Sequence, residues 1–208
     1  MPSNEVKNNV NDMVPVSRAY FPEGLSWSEY LAQMKKNREH IDGLYRSARV
    51  SPERARAFST AVQKHGGSVS ISVLTENWCG DSISNLPIVA RLEEAVPGIR
   101  LRIFLGKDHP EVKRFYNEAG IESIPALSFF NSDWRELGRW IERPAEATKL
   151  VEEWASRHPE LDALKASEAD ADKIRLKSLY DGLLLEMAAW YSGGLWNETL
   201  REILAVLA

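Results

Sequence analysis

The sequence predicts an α/β fold in which a mixed central sheet is flanked by helices, with helical extensions at both ends of the chain. Two observations indicate this class. Apolar and polar residues alternate in short runs that begin at Val69 and Ile99, a pattern typical of strands, whereas the runs around them repeat at helical spacing. The predicted order, β-α-β followed by β-β-α, places parallel and antiparallel strands in one sheet.

These patterns divide the 208 residues into four predicted parts. They are a flexible arm over 1–24, an N-terminal helical extension over 25–66, a sheet-containing core over 67–158, and a C-terminal helical extension over 159–208. The arm is predicted from its weak periodicity and its polar, Pro-bearing composition.

The N-terminal extension is predicted to contain two helices. Ser26 and Glu29 fit a capping box, and the apolar residues after them predict one helix over 26–47. Ser51 is placed as the N-cap of a second helix, which Gly66 stops.

The core is organised around a strand, turn and helix at residues 75–82, which contain the only cysteine of the chain, Cys79. A strand-like run over 69–74 precedes it and a helical run over 83–96 follows. This places Cys79 at or just before the first helical turn, where unpaired N–H groups and the helix dipole favour a negative sulfur. The alternative is a buried, inert thiol.

The rest of the core is predicted as a strand, a helix, two antiparallel strands and a helix. These elements are a strand from Ile99, a helix after Pro110, a strand from Pro125 to Phe130, its partner through Trp140, and a helix from Pro144. His109 is interpreted as a helix-capping or loop residue in preference to a base or metal ligand.

The C-terminal extension is apolar at helical spacing and is broken at Gly193 and Gly194. Residues this apolar must be buried, either against the N-terminal helices or between subunits. The chain is therefore expected to be a monomer or a homodimer through its terminal helices. The side chains predicted to be buried are Leu183, Met187, Trp190, Trp196 and Ile203.

Three segments of the core resemble thioredoxins. The turn Trp78-Cys79-Gly80 is similar to the family's active-site turn. Residues 120–130 resemble the segment whose isoleucine–proline bond is cis and faces that turn, and 136–140 resemble the family's glycine-bearing hairpin. The motif Cys-Gly-Asp-Ser at 79–82, together with Gly-Arg-Trp-x-x-Arg-Pro at 138–144, also resembles a single-cysteine bacterial branch of the family.

The resemblance implies a thioredoxin-like fold with a site built around Cys79. It implies Cys79 and Ser82 as catalytic residues. The substrate-binding residues it implies are Trp78, Gly80, Asp81, Ser123, Ile124 and Pro125, with a cis bond at Ile124–Pro125.

Three positions depart from the family's pattern. Ser82 replaces the second cysteine, so an internal disulfide cannot form. Val73 occupies the place of the family's buried aspartate, and Asp81 replaces the usual proline. Hydrogen bonds from Ser82 and from backbone N–H groups lower the pKa of the Cys79 thiol, whereas a nearby Asp81 carboxylate raises it, which leaves the sign of the net shift open.

The first functional hypothesis is a monothiol redox protein that exchanges disulfides, or adds and removes glutathione, through Cys79. It expects a partly exposed thiol with a pKa below about 8.5, protein or glutathione disulfides as partners, and glutathione as a co-substrate without a bound cofactor. The alternative is a non-catalytic peptide-binding module. A third hypothesis, an iron–sulfur carrier that uses Cys79 and glutathione in a dimer, has less support in the sequence.

Composition excludes several other classes. The net charge of −4 gives no support for binding to nucleic acid or anionic membranes. One cysteine and four histidines give no dense metal-ligand set, so no metal is expected. The sequence shows no signal peptide or transmembrane run, and a reducing cytoplasm is the expected compartment.

Overall fold

The computed structural model describes residues 14–208. The segments before the sheet are a 3-10 turn at Phe21–Glu23, α1 (Trp27–Gln33), α2 (Arg38–Ser47) and α3 (Pro52–Lys64). The core contains β1 (Val69–Thr75), α4 (Gly80–Ala95), β2 (Ile99–Leu105), α5 (Pro110–Glu118), β3 (Ala126–Phe130), β4 (Glu136–Ile141) and α6 (Ala145–Ser156). The last part contains α7 (Leu161–Ala166), α8 (Asp170–Trp190), a π-helical turn (Tyr191–Leu195) and α9 (Trp196–Val206).

The four strands form one mixed sheet in the order β2-β1-β3-β4. Strand β1 pairs parallel with β2 and antiparallel with β3, and β4 pairs antiparallel with β3. All seven residues of β1 are buried, because helices and the N-terminal segment cover both faces of the sheet. The predicted fold class, a mixed sheet flanked by helices with helical extensions, is confirmed.

The outer edge of β2 is paired with the chain that precedes α1. The backbone N–H of Leu25 donates to the carbonyl oxygen of Ile103 at 2.8 Å, and the N–H of Ile103 donates back to Leu25 at 2.8 Å. Part of an otherwise open strand edge is thereby closed.

The prediction of one helix over 26–47 is wrong, because the chain breaks between α1 and α2. Asn37 adopts a left-handed conformation with φ of 59°. The Arg38 guanidinium donates to the carbonyl oxygen of Leu31, near the end of α1. An orphan carbonyl at the end of a helix is satisfied in this way without continuing the helix.

The flexible arm predicted over 1–24 also needs correction where the structure describes it. Val16 and Phe21 are buried in a second apolar cluster on the opposite face of the sheet from the main core. The indole N–H of Trp134 donates to the carbonyl oxygen of Val16 at 2.9 Å. Residues 14–24 therefore belong to the folded structure, and residues 1–13 of the predicted arm lie outside the described residues.

The C-terminal helices pack on the core within the same chain. Met187, Trp196 and Ile203 are buried there, while Leu183 and Trp190 are partly buried at its margin. The predicted break falls in the π-helical turn, where Gly194 has φ of 129°.

Polar contacts fix the C-terminal helices to α4. The Trp196 indole N–H donates to the carbonyl oxygen of Ser84 at 2.8 Å. The Asn85 amide donates to the Tyr191 hydroxyl at 2.8 Å and accepts from the Thr199 hydroxyl at 2.8 Å. The helix that begins at the cysteine is therefore held from the C-terminal side of the chain.

Within residues 14–208, no helix combines the length and apolar character that crossing a membrane would require.

Candidate functional site

Cys79 is the N-cap residue of α4. Its backbone is extended, with φ of −73° and ψ of 120°, and its carbonyl oxygen accepts from the N–H of Ile83 at 3.0 Å. Strand β1 ends at Thr75, so the intervening turn delivers the sulfur to the end of the helix where unpaired N–H groups gather. The sequence prediction for this position agrees with the structure.

The sulfur of Cys79 faces the loop before β3. The Ile124–Pro125 peptide bond, for which the resemblance implies the cis form, is cis. The Cys79 thiol donates to the carbonyl oxygen of Ile124, with Sγ and oxygen 3.2 Å apart. Ser123 is exposed, Ile124 is partly buried and Pro125 is buried. The cysteine and the backbone before the cis-proline therefore meet at one point.

The partly exposed, low-pKa thiol expected from sequence is not what the structure contains. Cys79 is 7% exposed. Burial raises the pKa of its thiol above the ordinary value, and the Asp81 carboxylate raises it further. Hydrogen bonds from the Ser82 side chain and from the backbone N–H groups of Ser82 and Asp81 lower it, but burial outweighs them.

Asp81 does not present a free carboxylate to a substrate. Both of its oxygens accept from Arg143, with Oδ1 2.7 Å from Nε and Oδ2 2.6 Å from Nη2. Burial raises the pKa of the Asp81 carboxyl, and the hydrogen bonds and charge of Arg143 oppose this rise. Asp81 is thus held in a buried ion pair, and its substrate-binding role stays a prediction.

Ser82 lies one turn into α4 and is fully buried. Its hydroxyl accepts a hydrogen bond from the Thr75 hydroxyl at the end of β1. Val73, where the resemblance expects a buried acid, lies on the same strand and is also fully buried. The interior beside Cys79 is therefore closed by hydroxyl and alkyl groups.

Trp78 is the exposed part of the turn, with 71% of its surface accessible. A cavity of about 100 Å³ lies beside it. Its lining includes Trp78, Glu76, Lys113, Asn117, Glu122 and Ile124. The exposed indole ring therefore forms an apolar surface next to a cavity that is bordered by Ile124.

Gly80 lies on the other side of the turn, under α8. A Cβ atom at this position would lie 3.8 Å from the Leu184 Cδ1 and 3.8 Å from the Met187 Sδ. The C-terminal helix thus covers the cysteine turn at Gly80, whereas Trp78 in the same turn is exposed.

His109 is bound by the N-terminal segment. Its Nδ1 lies 2.7 Å from the Tyr20 hydroxyl, which also donates to Glu111 at 2.5 Å. Among the residues that the structure describes, no cluster of three or more His, Cys, Asp or Glu side chains is arranged to hold a metal ion.

Two features of the site were missed from the sequence. Arg143 belongs to the quoted motif at 138–144, so its type and position were visible, but its pairing with Asp81 was not. The cover that α8 provides over Gly80 was likewise unassigned, although the apolar spacing of this helix showed that it is buried against something.

The raised pKa leads to an expected pH dependence. The alkylation rate of Cys79 should be low at neutral pH and rise with pH, with a midpoint above that of free cysteine, since only the thiolate reacts. Iodoacetamide labelling followed by intact mass, with N-acetylcysteine as the reference, measures this. A midpoint at or below that of N-acetylcysteine would contradict the burial argument.

A cysteine at the start of a helix after the first strand of a mixed sheet, facing a cis-proline loop, defines a protein of the thioredoxin class. The family model for thioredoxin matches residues 24–155. The chain therefore belongs to the thioredoxin family.

Two solved structures agree with this fold, and a third has a lower similarity. An HIV epitope scaffold is 16% identical with a TM-score of 0.58, and the match covers 92% of this chain and 98% of that one. A protein of unknown function from Pseudomonas aeruginosa is 18% identical with a TM-score of 0.58, and the match covers 92% of this chain and 97% of that protein's chain. Thioredoxin O2 from Arabidopsis thaliana, in the oxidised state, is 20% identical over 48% of this chain and 86% of its own, with a TM-score of 0.32. No curated protein matches the sequence.

Proposed function

We propose that this chain is a monothiol redox protein of the thioredoxin family that exchanges disulfides through Cys79. The observation that carries the proposal is the 3.2 Å contact between the Cys79 sulfur and the Ile124 carbonyl oxygen. A peptide paired with the backbone at Ser123 and Ile124 as an added strand lies next to this sulfur. The membership in a single-cysteine bacterial branch is part of the proposal and rests on the residues at 79–82 and 138–144.

The reaction has two exchange steps. The Cys79 thiolate attacks one sulfur of a protein disulfide or of oxidised glutathione, forms a mixed disulfide and releases the other sulfur as a thiolate. Because Ser82 carries no thiol, a second thiol such as glutathione then attacks the mixed disulfide. That step returns Cys79 to its reduced form and leaves the external thiol joined to the product. A reducing compartment such as the cytoplasm supplies the external thiol.

The burial of Cys79 favours a second candidate function. The Cys79 thiol is 7% exposed, and burial raises its pKa. It is therefore mostly protonated at neutral pH. A non-catalytic module would still bind an extended peptide along Trp78 and the loop at Ser123, and Cys79 would then contribute only to the peptide-binding surface.

Incubation with oxidised glutathione separates the two candidates. The redox proposal expects one glutathionyl group on the wild type by intact mass, removal of that group by reduced glutathione, and no adduct on Cys79→Ser. Peptide binding that is equal for wild type and Cys79→Ser, with no adduct at any pH up to about 10, would instead establish the binding module.

A further inference from the structure

The loop that follows β4 touches both sides of the cysteine. Arg143 in this loop binds Asp81 in the first turn of α4 through two hydrogen bonds. The adjacent Glu142 donates its backbone N–H to the carbonyl oxygen of Pro125 at 2.7 Å. Two consecutive residues therefore connect the helix that carries Cys79 to the cis-proline loop that its sulfur contacts.

The ion pair in this connection is largely shielded from water. The Arg143 side chain is 18% exposed and the Asp81 side chain is 11% exposed. A shielded carboxylate is strongly disfavoured unless it is paired and hydrogen-bonded. Arg143 also binds the Glu142 carboxylate at 2.6 Å, which fixes the guanidinium from its own loop.

The titratable groups around Cys79 and Asp81 come from four elements. They are Asp81 itself on α4, Tyr30 on α1, Glu142 and Arg143 in the loop after β4, and Tyr191 in the π-helical turn. Burial raises the pKa of both tyrosines, so they remain neutral while a thiol titrates. Arg143 is the cation in this group, and it offsets the carboxylate nearest the sulfur.

We propose that Arg143 is a positioning residue for Cys79. By holding Asp81 and the loop at 142–144 together, it keeps the first turn of α4 against the cis-proline loop and offsets the Asp81 charge that disfavours the thiolate. The inference deepens the proposed function, because it rests on Cys79 being the reacting group.

Three variants test this by the pH dependence of Cys79 alkylation, from about pH 6 to about pH 11. Arg143→Gln leaves an unpaired carboxylate and should move the midpoint up. Asp81→Asn leaves an unpaired guanidinium and should move it down, with labelling at pH 7 about threefold or more faster, as half a pKa unit requires. The double variant has neither charge, so its alkylation midpoint should be close to that of the wild type.

Arg139→Gln is the matched control. Arg139 also forms an ion pair with two hydrogen bonds, from its Nε and Nη2 to the Glu136 carboxylate at 2.6 and 2.8 Å. The two side chains are 24% and 19% exposed, so this pair is shielded from water to a similar degree. Its bonds do not reach the cysteine turn, so the Cys79 midpoint should not move.

A purely structural role has a different signature. Loss of packing would speed labelling in both single variants, and the double variant would not recover. Faster labelling of Arg143→Gln, or a double variant whose midpoint does not return to that of the wild type, would overturn the proposal. If Arg143→Gln does not fold, Asp81→Asn compared with the double variant still reports the effect of the guanidinium, because the double variant should have the higher midpoint. Alkylation measures the reactivity of the Cys79 thiol directly and does not require glutathione. If the protein forms no glutathione adduct but the variants show the predicted order of midpoints, the redox function is rejected and the positioning role of Arg143 is retained.

Discussion

Replacing Ser82 with cysteine is expected to create a disulfide with Cys79 and to give the protein insulin reductase activity that the wild type lacks. In the wild type, a mixed disulfide at Cys79 has no neighbouring thiol to resolve it. The introduced thiol would occupy the place of the family's second cysteine, one helical turn along α4, and would attack that mixed disulfide. Turnover would then no longer need glutathione.

The site should tolerate the change. Ser82 is fully buried, and its hydroxyl accepts one hydrogen bond, from Thr75. Cysteine is close to serine in size, and the loss of that hydrogen bond costs about 1 kcal/mol. The gain in activity should be smaller than in a dithiol thioredoxin, because Val73 supplies no buried acid next to the thiols.

Free-thiol counting after mild oxidation measures the disulfide, and insulin precipitation in the presence of a dithiol-dependent reductase measures the activity. Ser84→Cys is the matched control, since Ser84 is equally buried on the same helix but on a different face from position 82. It should leave two free thiols. If Ser82→Cys also leaves two free thiols, the turn does not have the geometry assigned to it; if it forms the disulfide yet reduces no insulin, the binding module is favoured.

Much of the site is visible in the sequence because its signals are local. The change from alternating to helical spacing at 69–83 predicts the strand, the turn and the N-cap position of Cys79, and the structure contains all three. At the break between α1 and α2, which was missed, Asn37 has a left-handed backbone and Arg38 reaches back to the Leu31 carbonyl. Apolar spacing is continuous across that break, so periodicity alone predicts a single helix.

The burial of Cys79 could not be read from its own segment. Its sulfur lies against the carbonyl oxygen of Ile124, which is 45 residues further along the chain. The neighbouring Gly80 lies under α8, whose Met187 is more than a hundred residues away in the sequence. The apolar spacing of α8 shows that it is buried but not what it covers. The Asp81–Arg143 pair has the same origin, since only the folded sheet brings the end of β4 next to the first turn of α4.

Deleting residues 168–208 is expected to abolish cooperative folding of the chain. Six large side chains in this segment belong to the main core, and they are Met187, Tyr191, Trp196, Leu200, Ile203 and Leu207. Truncating one such side chain typically costs about 2–5 kcal/mol, and a whole domain is stable by about 5–15 kcal/mol. Removing all six therefore exceeds the stability available.

Single substitutions test the contribution of the C-terminal helices to stability without removing them. Trp196→Ala loses a buried indole and its bond to the Ser84 carbonyl, so we expect a loss of about 3–5 kcal/mol in the free energy of unfolding. Leu185→Ala is the matched control on α8, because Leu185 is 66% exposed. It should change stability by less than about 0.5 kcal/mol. Urea denaturation followed by circular dichroism measures both variants.

The deletion protein should bind a hydrophobic dye strongly and show no sharp thermal transition, because the face of α4 that carries Ser84 and Asn85 loses its cover. A melting temperature of the wild type that rises with protein concentration would indicate that chains also associate with one another. A deletion protein that melts at the wild-type temperature would show that the C-terminal helices do not stabilise the core. Equal losses from Trp196→Ala and Leu185→Ala would show that the packing assigned to α9 is wrong.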